Sequence, residues 1–131
     1  AVVVYNPELL DRNKETIERY QHMGMYLMEQ ATDDLTVQRR GSVLIFDCSR
    51  YSLSNLSLLT LEDVRRGTGM WTNSFPCRLK RVFVVGLSHA ARSTIVMFLS
   101  LLVPTKIRAR VVMVPGGAAG DAVLEEGLGR G

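Results

Sequence analysis

Asp47 closes the apolar run GSVLIFDC, and a carboxylate at the end of a strand sits where loops often carry function, so it is the first candidate for a general base. General-base chemistry needs a partner within hydrogen-bond reach, and no His, Ser or Lys motif supplies one. We therefore read Asp47 as accepting hydrogen bonds from backbone NH groups of the following loop. His22 and His89 each lack a second histidine three or four residues away, the spacing by which a helix grips zinc. Cys48 and Cys77 show no CxxC spacing, which argues against a zinc site and against a multi-bridge disulfide framework, and suits a reducing compartment. The serines of SRYSLSN never fall in G-x-S-x-G, the elbow that exposes a nucleophile. GGAAG at 116–120 has no following Lys-Ser/Thr to reach a phosphate and magnesium, and GTG at 67–69 falls inside a helical segment. No catalytic residue, metal or cofactor is assigned, and the chain is read as a binding protein and not an enzyme.

The elements that must position any site follow from hydropathy and punctuation. Val2 to Tyr5 is a β-branched and aromatic run stopped by Asn6-Pro7, which predicts a short strand. From Glu8 to about Thr32, Leu9, Leu10, Ile17, Tyr20, Met23, Tyr26, Leu27 and Ala31 recur mostly at spacings of three, four or seven, which predicts an amphipathic helix. Asp33 and Asp34 then read as its solvated end. SVLIFDC and KRVFVVG are unbroken apolar strands of the kind covered on both faces. Between them Leu58, Leu61, Val64 and the stretch up to Phe75 support a second helix, weakened by Gly67 and Gly69 at about 1 kcal/mol each against alanine. Ser88 is placed as the N-cap of a third helix running to Val103, apolar nearly all round. Ile107 to Val114 reads as a last strand, followed by a short helical turn and then disorder.

This alternation predicts an α/β fold: a mixed, largely parallel β-sheet of about four to five strands with flanking helices. The 131 residues suit a single domain, placed at 1–115, with 116–131 as a glycine-rich C-terminal tail. Apolar residues at 47% and charged residues at 22% exclude a disordered chain. Ile95 to Pro104 is about half of the ~20 residues a membrane span requires. The opening AVVVYNP, with neither Met nor a basic region before a long apolar core, is unlike a secretory signal and suggests a fragment of something longer. The net charge of +3 decides nothing alone, but the basic residues are dispersed and no aromatic-basic interleaving suggests a nucleic-acid stacking platform.

Taken in order, YNPELLDRNKETIERYQHMGMYLMEQA, GSVLIFDCSRYSLSN, WTNSFPCRLKRVFVV and VPTKIRARVVMV resemble the CRAL-TRIO lipid-binding domain, the family of the tocopherol transfer and retinaldehyde-binding proteins. The most specific feature pairs the Gly41 to Asp47 strand with the downstream Ser74-Phe75-Pro76 and its basic, then apolar, continuation to Val85. The chain departs from the family at Gly86-Leu87-Ser88, where an Asn-Glu-Pro-like turn is common, and a helical bundle usually precedes this region.

The resemblance implies a sheet that floors an apolar cavity and a mobile helix, here about Ala90 to Val103, that gates a bound lipid. Ile95, Phe98, Leu99 and Leu102 share one face of that helix and are ligand-facing candidates, as are Phe46, Leu53 and Trp71 in the matched segments. Core packing is the competing role for each. Lys106, Arg108 and Arg110 alternate along KIRAR, so an extended segment would put them on one face, and the resemblance implies phosphoinositide head groups as their partners. The expected function is binding or transfer of a hydrophobic small molecule by a cytoplasmic, peripherally membrane-associated protein that contacts no nucleic acid. The alternative is a regulatory or protein-interaction domain that keeps the fold without the cavity.

Overall fold

A computed structural model describes residues 2–5, 17–50, 60–73 and 78–129. The elements are β1 (Val2–Tyr5), α1 (Ile17–Thr32), α2 (Leu35–Arg40), β2 (Ser42–Asp47), α3 (Leu61–Asn73), β3 (Leu79–Val85), α4 (His89–Leu102), α5 (Thr105–Arg108), β4 (Val111–Val114) and α6 (Ala118–Gly129). The four strands form one sheet in the order β1-β2-β3-β4, every neighbouring pair parallel, so the expected α/β architecture is present with no antiparallel pair among the described residues.

Parallel neighbours require crossover connections, and these are right-handed almost without exception. Each connection here steps in the same direction, so α1 and α2, then α3, then α4 and α5 stack on one face. Met28 of α1 accordingly packs with Leu44, Leu79 and Val82 as a buried cluster, with Val3, Phe46, Ile107 and Val111 against it. The opposite face belongs to α6. Phe83, 1% exposed, points there, and Gly127 lies so close that a Cβ would strike the Phe83 ring. In the first turn of the same helix, Gly120 sits against the Pro115 carbonyl.

Helix starts follow local chemistry. The Ser88 hydroxyl accepts from the Ala91 NH at 3.3 Å and caps α4 as expected. Thr60 and Asp63 form a reciprocal box at the start of α3: the Thr60 NH donates to the Asp63 carboxylate at 3.0 Å, and the Asp63 NH donates to the Thr60 hydroxyl at 3.1 Å. These bonds, with help from Arg66, hold the Asp63 carboxyl below its ordinary range.

Several sequence expectations change. The first helix ends at Thr32, but Asp34 is no passive helix end: its carboxylate accepts from the Thr36 NH at 2.7 Å and starts α2, which the sequence reading missed. Six residues are too few for hydropathy periodicity to register. The early part of the first helix, 8–16, and the Phe75 end of the second lie outside the described residues. The segment expected as a short turn and disorder is the twelve-residue α6.

The last strand begins only at Val111, because 105–108 is helical. The cause lies in β3. Ser42 pairs with Leu79 but Val43 pairs with Arg81, so Lys80 is an extra residue, a β-bulge. The bulge lets Leu79 and Val82, three apart, enter the same cluster while Lys80 and Arg81 both face solvent. Backbone pairing with β3 starts at the Val82 NH bond to the Arg110 carbonyl, at 2.9 Å, and next to the bulge the Arg110 side chain takes over by donating to the Leu79 carbonyl at 2.6 Å.

Leu44, 2% exposed in the middle of the cluster, tests this core. Leu44→Ala should lower the unfolding free energy by about 2–5 kcal/mol, read from urea denaturation with an unchanged slope.

Candidate functional site

The helix-covered face of the sheet is not covered evenly. Paired residues of parallel strands share a face, so Leu44 and Val82 lie in one row with Val3 and Val111, and Phe46 and Val84 lie in the next with Met113. On the central strands the first row is buried at Leu44 and Val82, with Val3 and Val111 half-buried at its ends, whereas Phe46, Val84 and Met113 of the second row are all half-buried. The sheet is therefore less covered toward the C-terminal ends of β2 and β3.

Helix α4 has two apolar sides. Ile95 and Leu99, four apart, are half-buried on one side, while Val96, Met97 and Leu101 are 45%, 54% and 73% exposed on the other. Ser93, Thr94 and Ser100 return their hydroxyls to the carbonyls four residues back, so their polar atoms are satisfied within the helix. Such a helix has too little polar surface to face water all round.

Of the residues expected to face a ligand, Phe46, Ile95 and Leu99 thus border half-buried apolar surface. Phe98 and Leu102 lie on α4 and Trp71 on α3, with their side chains outside the described residues, and Leu53 lies outside them altogether.

The basic triplet is not a row on an extended strand. Lys106 is exposed on α5, Arg108 donates to the Ser100 carbonyl at 2.8 Å at the end of α4, and Arg110 holds Leu79. Its setting is nevertheless strongly positive. Parallel strands all start at one edge, and each of β2, β3 and β4 is preceded or opened by cations: Arg39 and Arg40, then Arg78, Lys80 and Arg81, then the triplet itself. Arg78 and Ser42 are joined by a 2.8 Å backbone hydrogen bond, and Arg110 and Val82 by one of 2.9 Å, so the three segments are immediate neighbours. They hold eight of the sixteen Lys and Arg of the chain and no carboxylate, and among the described residues none of the eight is in an ion pair. The sequence reading missed five of these eight. The signal was present in QRR and CRLKR, but it becomes a cluster only when parallel pairing aligns the strand starts.

At the opposite edge Asp47 accepts from the Ser49 NH at 3.1 Å and the Ser49 hydroxyl at 2.7 Å, the loop-capping role expected of it. Gly86, at φ +81°, is packed against Ser49, where a Cβ would come within 2.6 Å of the Ser49 Cα. Cys48 between them is buried, and burial first, then the neighbouring Asp47 carboxylate, pushes its thiol up to about 11. Among the described residues no cluster of His, Cys, Asp and Glu could hold a metal ion, and no helix is long and apolar enough to cross a membrane.

Comparison with known proteins agrees with this geometry. The family model described as the CRAL/TRIO domain matches residues 1–124. Tyrosine-protein phosphatase non-receptor type 9 of Mus musculus, Homo sapiens and Rattus norvegicus is 33% identical over 86 residues, 66% of this chain. The chain spans only 14% of the length of those relatives.

Because its folded-state value is raised, Cys48 favours folding below the ordinary thiol range, and that contribution is lost as pH rises toward about 11. An alkylating reagent at pH 8 should label Cys48 slowly in the native protein and rapidly in denaturant, and unfolding midpoints should fall between pH 9 and 11 in the wild type more than in Cys48→Ala.

Proposed function

The chain belongs to the CRAL/TRIO domain family, whose domains bind hydrophobic ligands, and from that premise we propose that it holds and exchanges a lipid-like molecule between the sheet and α4. The observation that carries this reading is the passage on β2 and β3 from buried Leu44 and Val82 to half-buried Phe46 and Val84, with half-buried Met113 beside them. An apolar floor left partly uncovered beside a helix with two apolar sides is stabilised by a guest. At ~25 cal/mol per Å2, a few hundred Å2 removed from water contributes several kcal/mol before ordering costs, with no reaction required. A tocopherol-like or retinoid cargo is the finer form of this proposal, with Ile95, Phe98, Leu99, Leu102, Leu53 and Trp71 completing the lining.

In the same reading α4 is the gate, and the protein works at the cytoplasmic surface of a membrane. Its outer residues Val96, Met97 and Leu101 offer apolar contact, and Arg108 ties the end of α4 to the cationic edge. An apolar patch joined to unpaired cations suits an anionic bilayer, with phosphoinositide head groups meeting Lys106, Arg108, Arg110 and the neighbouring Arg78, Lys80 and Arg81. The phosphatase relatives lend no catalytic role, since the match spans so little of them.

Native mass spectrometry of freshly purified protein should show a bound apolar molecule of defined mass; a chain that is always empty and takes up no added lipid would refute the cavity. Lys80 and Lys106 are exposed, so reversing both should leave the fold intact. Loss of two contributions of about 1 kcal/mol predicts at least ~30-fold weaker binding of Lys80→Glu/Lys106→Glu to phosphoinositide vesicles. Unchanged sedimentation with those vesicles would remove the docking role and leave the cavity reading in place.

A further inference from the structure

Gln21 lies on the side of α1 that carries Gly24, Met28 and Thr32, the side turned to the core. Its Nε2 donates to the Asp63 carbonyl of α3 at 2.8 Å. Room for this contact exists because position 67 is glycine: a Cβ there would stand 2.9 Å from Nε2. The other end of the same amide is unsatisfied. Gln21 Oε1 is buried and accepts no hydrogen bond among the described residues. Turning the amide over offers no remedy, because it would set Oε1 against the Asp63 carbonyl, acceptor to acceptor.

The position of this orphaned oxygen gives it meaning. As a crossover helix, α1 runs back against the direction of β1 and β2, so Gln21, two turns before Met28, stands toward the strand ends where Phe46 and Val84 are half-buried. We propose that Gln21 Oε1 is the polar anchor of the apolar site, accepting a hydrogen bond from a hydroxyl of the bound molecule, so that the cargo is a long apolar alcohol. This rests on the lipid-holding reading above and narrows its ligand class. A ligand capped by an ether or ending in hydrocarbon leaves the buried acceptor unmatched, and sites built around a hydrogen bond discriminate strongly against partners that lack it. Asp63 and Gly67 act as positioning residues, holding the amide so that only its oxygen is offered.

The full chain is titrated with 1-hexadecanol and with its methyl ether, and bound ligand is read by native mass spectrometry. The wild type should bind the alcohol at least about tenfold more tightly than the ether, and Gln21→Met, of similar volume, should bind the two equally. Should Gln21→Met fail to fold, Gln21→Asn, one methylene shorter, carries the same comparison. Equal binding of both probes by the wild type overturns the anchor and leaves the lipid-holding reading intact. Preference for the alcohol that survives in the Gln21 variant also overturns it. Uptake of neither probe by the wild type overturns both readings.

Discussion

Four parallel strands laid down in chain order impose a constraint that the remaining features obey. Consecutive parallel strands need a crossover each time, and the handedness of crossovers sends successive ones to the same side when the sheet grows in one direction. One face thus receives α1 to α5, and the other is left to α6, the helix after β4. The strand starts also come to lie along one edge and the strand ends along the other. A molecule built this way has two chemically different rims and two differently covered faces before any side chain is chosen.

The bulge at Lys80 shows how a single residue adapts that frame. Regular alternation would put Leu79 and Val82 on opposite faces; the extra residue lets both reach Met28 and turns Lys80 and Arg81 to water. It also ends the ladder on the β4 side, so 105–108 satisfies its backbone locally, with the Ile107, Arg108 and Ala109 NH groups bonded to the Pro104 and Thr105 carbonyls. The same irregularity therefore builds the core, shortens the last strand and exposes charge at the cationic rim.

Coverage of the two faces differs in kind. Glycines at 120 and 127 bring α6 close to the end of β4 and the Phe83 ring, while Val2 and Val4 at the β1 side of that face stay 56% and 63% exposed. On the other face β2 and β3 pass from buried to half-buried side chains toward their ends, and the neighbouring helices carry more apolar surface than the sheet absorbs. A buried cluster beside surplus apolar surface is what a scaffold for an apolar guest requires.

The sequence alone determined the elements whose signals are local. Apolar runs bounded by glycine and proline marked β1, β2 and β3, Ser88 marked the start of α4, and the strand–helix alternation together with the Gly41 to Asp47 and Ser74 to Val85 segments pointed to the CRAL-TRIO family. Hydropathy period and capping chemistry depend on residues a few positions apart, so they are legible in one dimension. Tertiary structure alone decided that KIRAR is not extended, that Arg39, Arg40, Arg78, Lys80 and Arg81 join the same rim, and that Gln21 is left with an unmatched oxygen. Each of these depends on which strand lies beside which, and in a parallel sheet those neighbours are separated by whole crossovers, a distance over which sequence pattern carries no register.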